Sequence, residues 1–153
     1  MDLVSEILQI AAAFDQAEVG YAVCGGVAVT AYGAPRSTED VDVLVLPADV
    51  QRALDAVRPL GYVFVALPLR FDEGSPQARE VQRVTKIDAG QHLVLDLLHA
   101  SGPFEGSLDD AVTVELSDGA LRLVSLQMLR KMKRLAGRPK DLGDLAALEE
   151  QES

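Results

Sequence analysis

Cysteine is nearly absent from this chain, and long apolar runs are missing altogether. A single cysteine, Cys24, stands among 153 residues. Neither an internal disulfide nor a cysteine zinc cluster can be built from it. No hydrophobic run approaches the ~20 residues that a membrane-spanning helix needs. The opening Met1-Asp2-Leu3 has no basic stretch, which argues against a secretory signal. A reducing cytoplasm, with no membrane contact, is the expected setting. Positive charge is scarce too: 14 basic residues face 24 acidic ones, for a net charge of −10. That balance works against broad nucleic-acid binding, because phosphates would be repelled.

What is present is an ordinary globular mixture, 48% hydrophobic and 25% charged. The length predicts one domain over 1–153, large enough to bury a real core. The charge is uneven. Residues 1–119 hold 7 basic and 19 acidic side chains, whereas 120–140 hold 7 basic and no acidic ones. That basic segment reads either as a solvated helix face or as a patch for a phosphate or polyanion.

Periodicity supplies the elements. Residues 2–17 read as an amphipathic helix capped by Asp2, with Leu3, Val4, Ile7, Leu8, Ala11 and Phe14 on one side. Tyr21–Cys24 reads as a strand stopped by Gly25-Gly26, and Val27–Tyr32 as a helix ending at Gly33. Val41–Leu46 reads as a second strand, Pro47 to about Pro59 as a helix, and Tyr62–Leu67 as a third strand. Residues 68–80 read as an irregular, mobile loop. Two strands, Val81–Ile87 and His92–Leu98, are joined by Asp88-Ala89-Gly90-Gln91. A shorter pair, Val112–Leu116 and Leu121–Val124, is joined by Asp118-Gly119. Ser125 caps a basic helix to about Ala136, and a last helix runs through Leu142, Leu145 and Leu148. The expected fold class is α+β, a mixed sheet with helices packed on it and helices at the C-terminal end.

The acidic residues carry the chemistry. Asp40 and Asp42 are two apart on a strand and so share a face. Two such close carboxylates repel unless a cation lies between them, and oxygen-only ligands suit Mg²⁺. The plainer reading is a turn cap and a solvated acid. Asp96 lies in an otherwise apolar strand, His92 to His99, where an unpartnered carboxylate is costly. It therefore needs an arginine, a hydrogen-bond set or a metal. Placed beside Asp40 and Asp42, it would complete a two-metal phosphoryl-transfer site. His92 and His99 read as core or surface residues, and Cys24 as core filler. Gly25-Gly26 lets backbone approach a phosphate at a helix N-terminus, though glycine pairs mostly just make turns.

The run Cys24-Gly25-Gly26-Val27-Ala28, followed by Gly33-Ala34-Pro35-Arg36-Ser37-Thr38-Glu39-Asp40-Val41-Asp42, resembles the DNA polymerase beta-type nucleotidyltransferase superfamily. Its Arg-x-Thr-x-Asp-x-Asp form looks like a small bacterial branch, which includes abortive-infection or type IV toxin enzymes and aminoglycoside nucleotidyltransferases. The tail from Met132 to Leu145 resembles that branch's C-terminal helical motif. The resemblance implies that Gly25 and Gly26 hold an NTP triphosphate. It implies that Asp40 and Asp42 bind two Mg²⁺ ions, and that Asp96 completes the catalytic ion's shell and helps deprotonate the acceptor. Arg36 and Lys133 match positions suited to phosphate, with a solvated helix lysine the alternative for Lys133; Thr38 matches and at least fixes the turn. Arg138, Lys140, Asp141 and Asp144 match as a structural ion-pair network. The implied activity moves an NMP from an NTP, such as ATP, to a hydroxyl on a tRNA, a protein or a small molecule, releasing pyrophosphate. The alternative is a degenerate nucleotide- or partner-binding protein, such as a toxin–antitoxin component. The short chain leaves little room for an acceptor domain, so either the acceptor is held in an open cleft, or a protein partner or the second subunit of a homodimer completes it.

Overall fold

Asp2 accepts the backbone N–H of Val4 at 3.2 Å and starts α1 (Leu3–Gln16), whose Ile7, Ile10, Ala11 and Phe14 recur at helical spacing and are buried. A computed structural model describes residues 2–34 and 40–152 of the chain. Among them the order continues through β1 (Tyr21–Cys24), α2 (Gly25–Ala31), β2 (Asp40–Val45), α3 (Val50–Val57), β3 (Tyr62–Val65) and β4 (Leu69–Phe71). Then come β5 (Arg79–Asp88), β6 (Gln91–His99), β7 (Val112–Leu116), β8 (Gly119–Leu123), α4 (Leu126–Ala136) and α5 (Pro139–Glu152). The expected α+β class is observed. No helix among the described residues is long and apolar enough to cross a membrane.

The strands form one mixed sheet in the order β3-β5-β6-β2-β1-β8-β7, with β4 also paired to β5. β1 and β2 are antiparallel neighbours joined through α2, while β2 and β6 run parallel. Side-chain alternation then sorts residues onto two faces. Tyr21 and Val23, Val41, Val43 and Val45, and Leu93, Leu95 and Leu97 share one core with α1 and α3. Ala22, Cys24 and Leu44 pack on the other side with Ala28 and Val29 of α2, Leu129 and Met132 of α4, and Leu148 of α5.

Three expectations change. Residues 68–80 are not simply an irregular loop: Leu69, Arg70 and Phe71 pair with Val81, Glu80 and Arg79. Ion pairs from Arg70 to Glu80 (2.7 Å) and from Arg79 to Asp72 (2.5 Å) tie this hairpin together. A three-residue strand is too short to show periodicity against a Gly- and Pro-containing turn. The helix expected from Pro47 to Pro59 is α3 flanked by 3-10 turns at Pro47–Asp49 and Arg58–Leu60. Helix α2 begins at Gly25, so the glycine pair forms its first turn rather than preceding it.

Candidate active site

The site is a row of side chains laid across four strands. Cys24 of β1 is register partner to Asp42 of β2, Asp42 to Asp96 of β6, and Asp96 to Arg83 of β5. Partners on adjacent strands point to the same side, and Asp40, two residues before Asp42, shares that face. The expected meeting of Asp40, Asp42 and Asp96 at one end of the sheet is therefore what the register produces. Gly25 follows Cys24 directly and starts α2 with φ +66°. A Cβ there would collide with the Asp42 carboxylate, so only glycine lets the first turn of α2 lie against this acid. Gly26 is buried in the same turn. Arg36 and Thr38 lie outside the described residues.

The carboxylates meet different surroundings. Burial, then the neighbouring charges of Asp96 and Asp40, push Asp42 up to about 6, with Lys133 and Lys140 pulling the other way. Asp96 accepts two bonds from Arg83, Nε to Oδ1 at 2.9 Å and Nη2 to Oδ2 at 3.0 Å. This fork is the partner that an acid in an apolar strand requires. The Cys24 thiol is pushed well up by burial and then by Asp42, which makes it a core group and not a nucleophile. His99 lies 3.4 Å from Glu80 and His92 is exposed, in keeping with core or surface roles.

The second wall comes from the C-terminal helices. Ser125 accepts the N–H of Met128 at 3.1 Å and caps α4. Lys133 on α4 is buried, its ammonium 3.0 Å from Asp144 and 3.3 Å from Asp141. The solvated reading of this lysine is therefore replaced by a buried ion pair at the cleft edge. Asp141 also accepts from the backbone N–H of Arg138 at 3.2 Å and from its Nε at 2.6 Å, closing the first turn of α5. Burial alone would raise Asp141, but the bonds from Arg138 and Lys133 outweigh it and hold the acid below its ordinary value. Of the expected ion-pair network, Arg138, Asp141 and Asp144 are joined, with Lys133 at the centre, whereas Lys140 lines the cleft.

Between the two walls lies a cleft of about 370 Å³, lined by Gly25, Asp40, Asp42 and Asp96 and by Lys133, Arg138 and Lys140. Three cations of the basic segment thus face the acidic row. Leu69, Phe71, Arg79, Val81 and Arg83 line the cleft from β4 and β5. Arg83 was readable beforehand. Pairing the predicted hairpin from its Asp88–Gln91 turn sets 83 opposite 96. The β4 residues carried no comparable signal.

Whether the acids suit a metal can be judged from these contacts. Asp40 and Asp42 offer hard oxygen donors, and Asp42 is raised by burial and then by the neighbouring carboxylates, effects that a bound cation would offset. Asp96 is engaged by Arg83 but keeps further lone pairs on both oxygens. Among the described residues no three acidic, histidine or cysteine side chains are gathered as a metal cluster. The residues present fit a hard dication held first by Asp40 and Asp42.

No protein-family model matches the chain, and no curated protein sequence does. Solved structures do. The lincosamide antibiotic adenylyltransferase LnuA, with lincomycin bound, superposes with a TM-score of 0.58 at 15% identity, over 95% of each chain. ANT(2")-Ia, in complex with adenylyl-2"-tobramycin, gives 0.64 at 16% identity over 98% of this chain and 89% of its own. A Thermotoga maritima protein assigned to the nucleotidyltransferases gives 0.64 at 14% identity, over 94% and 89%. The chain has the nucleotidyltransferase fold. Within that fold the acidic row lies on the β1–β2–β6 part of the sheet, and the α4–α5 pair forms the facing wall.

Proposed function

We propose that this chain is a Mg²⁺-dependent nucleotidyltransferase that moves an NMP from an NTP to a hydroxyl acceptor. The observation that carries the reading is the convergence of Asp40, Asp42 and Asp96 beside Gly25 at the start of α2, in the nucleotidyltransferase fold. LnuA is an adenylyltransferase acting on lincosamides and ANT(2")-Ia is bound to an adenylylated tobramycin; from them we take the reaction class only, with ATP as the first donor to test.

Each residue then has a task. The backbone N–H groups at Gly25 and Gly26 receive the triphosphate, and Lys133 supplies positive charge at the facing wall. Arg36 and Thr38 belong to the same phosphate-binding segment in this reading. Asp40 and Asp42 hold the metal, which when bound neutralises phosphate charge and stabilises the attacking and leaving oxygens. Asp96, oriented by Arg83, accepts the acceptor's hydroxyl proton. The hydroxyl oxygen forms a bond to the α-phosphorus, the bond from that phosphorus to the β-phosphate oxygen breaks, and pyrophosphate leaves. The acceptor belongs to a tRNA, a protein or a small molecule.

Thermal melting with each NTP and Mg²⁺ tests the reading. Ligand at about 100 times its Kd should add roughly 2.7 kcal/mol, a shift of several degrees. The shift should need Mg²⁺ and vanish in Asp40→Ala/Asp42→Ala. No shift with any NTP overturns the reading and favours a degenerate partner-binding protein, such as one component of a toxin–antitoxin pair.

A further inference from the structure

The cleft has two unlike halves. On one side of the acidic row lie Gly25, Lys133, Arg138 and Lys140, the half suited to a triphosphate. On the other, the register builds a second row parallel to the first: Leu69 pairs with Val81, Val81 with Leu98, and Leu98 with Leu44. It lies two residues along the strands from Arg83, Asp96 and Asp42, about 7 Å at the usual rise. Phe71 extends this floor, and Leu69 and Phe71 are 41% and 43% exposed although they line the cleft. Folding alone leaves this apolar surface uncovered, a mark of a binding surface.

The charges on this half are paired. Arg79 lies 5.4 Å over the Phe71 ring and is bound to Asp72. Arg83 occupies both oxygens of Asp96. The carboxylates that could receive an incoming ammonium group are thus already engaged by guanidinium groups. Arg79 and Arg83 are equally engaged by those carboxylates, so the floor favours neither a cation nor an anion. An aromatic or aliphatic body can lie on the floor, against the Phe71 ring.

We propose that the acceptor is a hydroxyl compound whose apolar or aromatic body, rather than a polycationic one, lies on Leu69, Phe71, Val81 and Leu98 beside Asp96. The proposal rests on the nucleotidyl-transfer reading for its hydroxyl but predicts binding that can be measured without it.

Binding of two probes separates the possibilities: a hydroxynaphthalene sulfonate, which joins an aromatic ring, an anion and a hydroxyl, and tobramycin, which joins hydroxyls to several amines. Calorimetry on wild type should find the sulfonate bound. In Leu69→Asp/Phe71→Asp its affinity should fall at least ~10-fold, about 1.4 kcal/mol. Tobramycin should not displace it. The ATP–Mg²⁺ melting shift should be the same in both proteins. If the double variant melts well below wild type, Phe71→Ser replaces it. Displacement by tobramycin, or equal sulfonate affinity in wild type and variant, overturns the proposal. So does a dimer, seen by sedimentation, that dissociates in the variant while wild type fails to bind the sulfonate, because the floor is then a subunit interface. Sulfonate binding without any ATP shift sinks the transfer reading and leaves the apolar site standing.

Discussion

The two faces of the sheet use the same strands for opposite ends. In β2 and β6, Val41, Val43, Val45, Leu93, Leu95 and Leu97 turn toward α1 and α3 and are sealed from water. The residues between them, Asp40, Asp42 and Asp96, turn toward the cleft. A buried polar group does occur on the sealed side, but it is fully answered. Glu6 accepts from the Tyr62 hydroxyl at 2.8 Å and from Lys86 at 2.7 Å. On the cleft side Asp42 is pushed upward, first by burial and then by the charges of Asp96 and Asp40. Neighbouring residues on one strand therefore divide stability from chemistry, and substitutions one position apart should behave unlike each other.

The sharpest break of this contrast is Asp96→Asn. Transfer activity should fall at least ~1,000-fold, about 4 kcal/mol of barrier, while the melting point stays within a few degrees, because Arg83 can remain solvated. Next to it, Leu95→Ala should do the reverse. Denaturant unfolding should register a loss of about 2–5 kcal/mol from the cavity, with near-normal turnover per folded molecule. Glu6→Leu should cost about 1–3 kcal/mol, because the Tyr62 hydroxyl and the Lys86 ammonium lose their shared acceptor. The smallest effect is a pH slope. With Asp42 at about 6 in the folded protein and 3.8 as its ordinary value, the folded state holds the extra proton between those values. Stability of the metal-free protein should thus decline as pH rises from about 4 to about 6, by on the order of 1–2 kcal/mol. Asp42→Asn should flatten that decline; an unchanged slope would mean that another group titrates.

Much of this contrast was legible beforehand. The Asp-Val-Asp-Val alternation assigns β2's faces without any coordinates, and the single acid within β6 marks where the cleft crosses it. The β5–β6 hairpin turns at Ala89 and Gly90, which adopt the left-handed conformation that the turn demands. What could not be read is equally physical. Lys133 looks like any helix lysine until α5 folds back and brings Asp141 and Asp144 against it, an encounter that no local pattern encodes. β4 was hidden because three residues contain too little alternation. The apolar floor depends on that strand, so it too became visible only through long-range pairing.

The parallel pairing of β2 with β6 has a consequence for how such a chain can change over generations. Asp42 faces Asp96 only because the two strands are aligned residue for residue. Inserting or deleting one codon within either strand would slide the alignment and turn each displaced side chain to the opposite face. Valines would enter the cleft and aspartates the sealed core, so folding and chemistry would fail together. Length changes should accordingly be tolerated in the connecting turns and purged from these strands, while point substitutions can accumulate freely around them. A lineage under that rule can drift far in residue identity and still keep its alignment of strands.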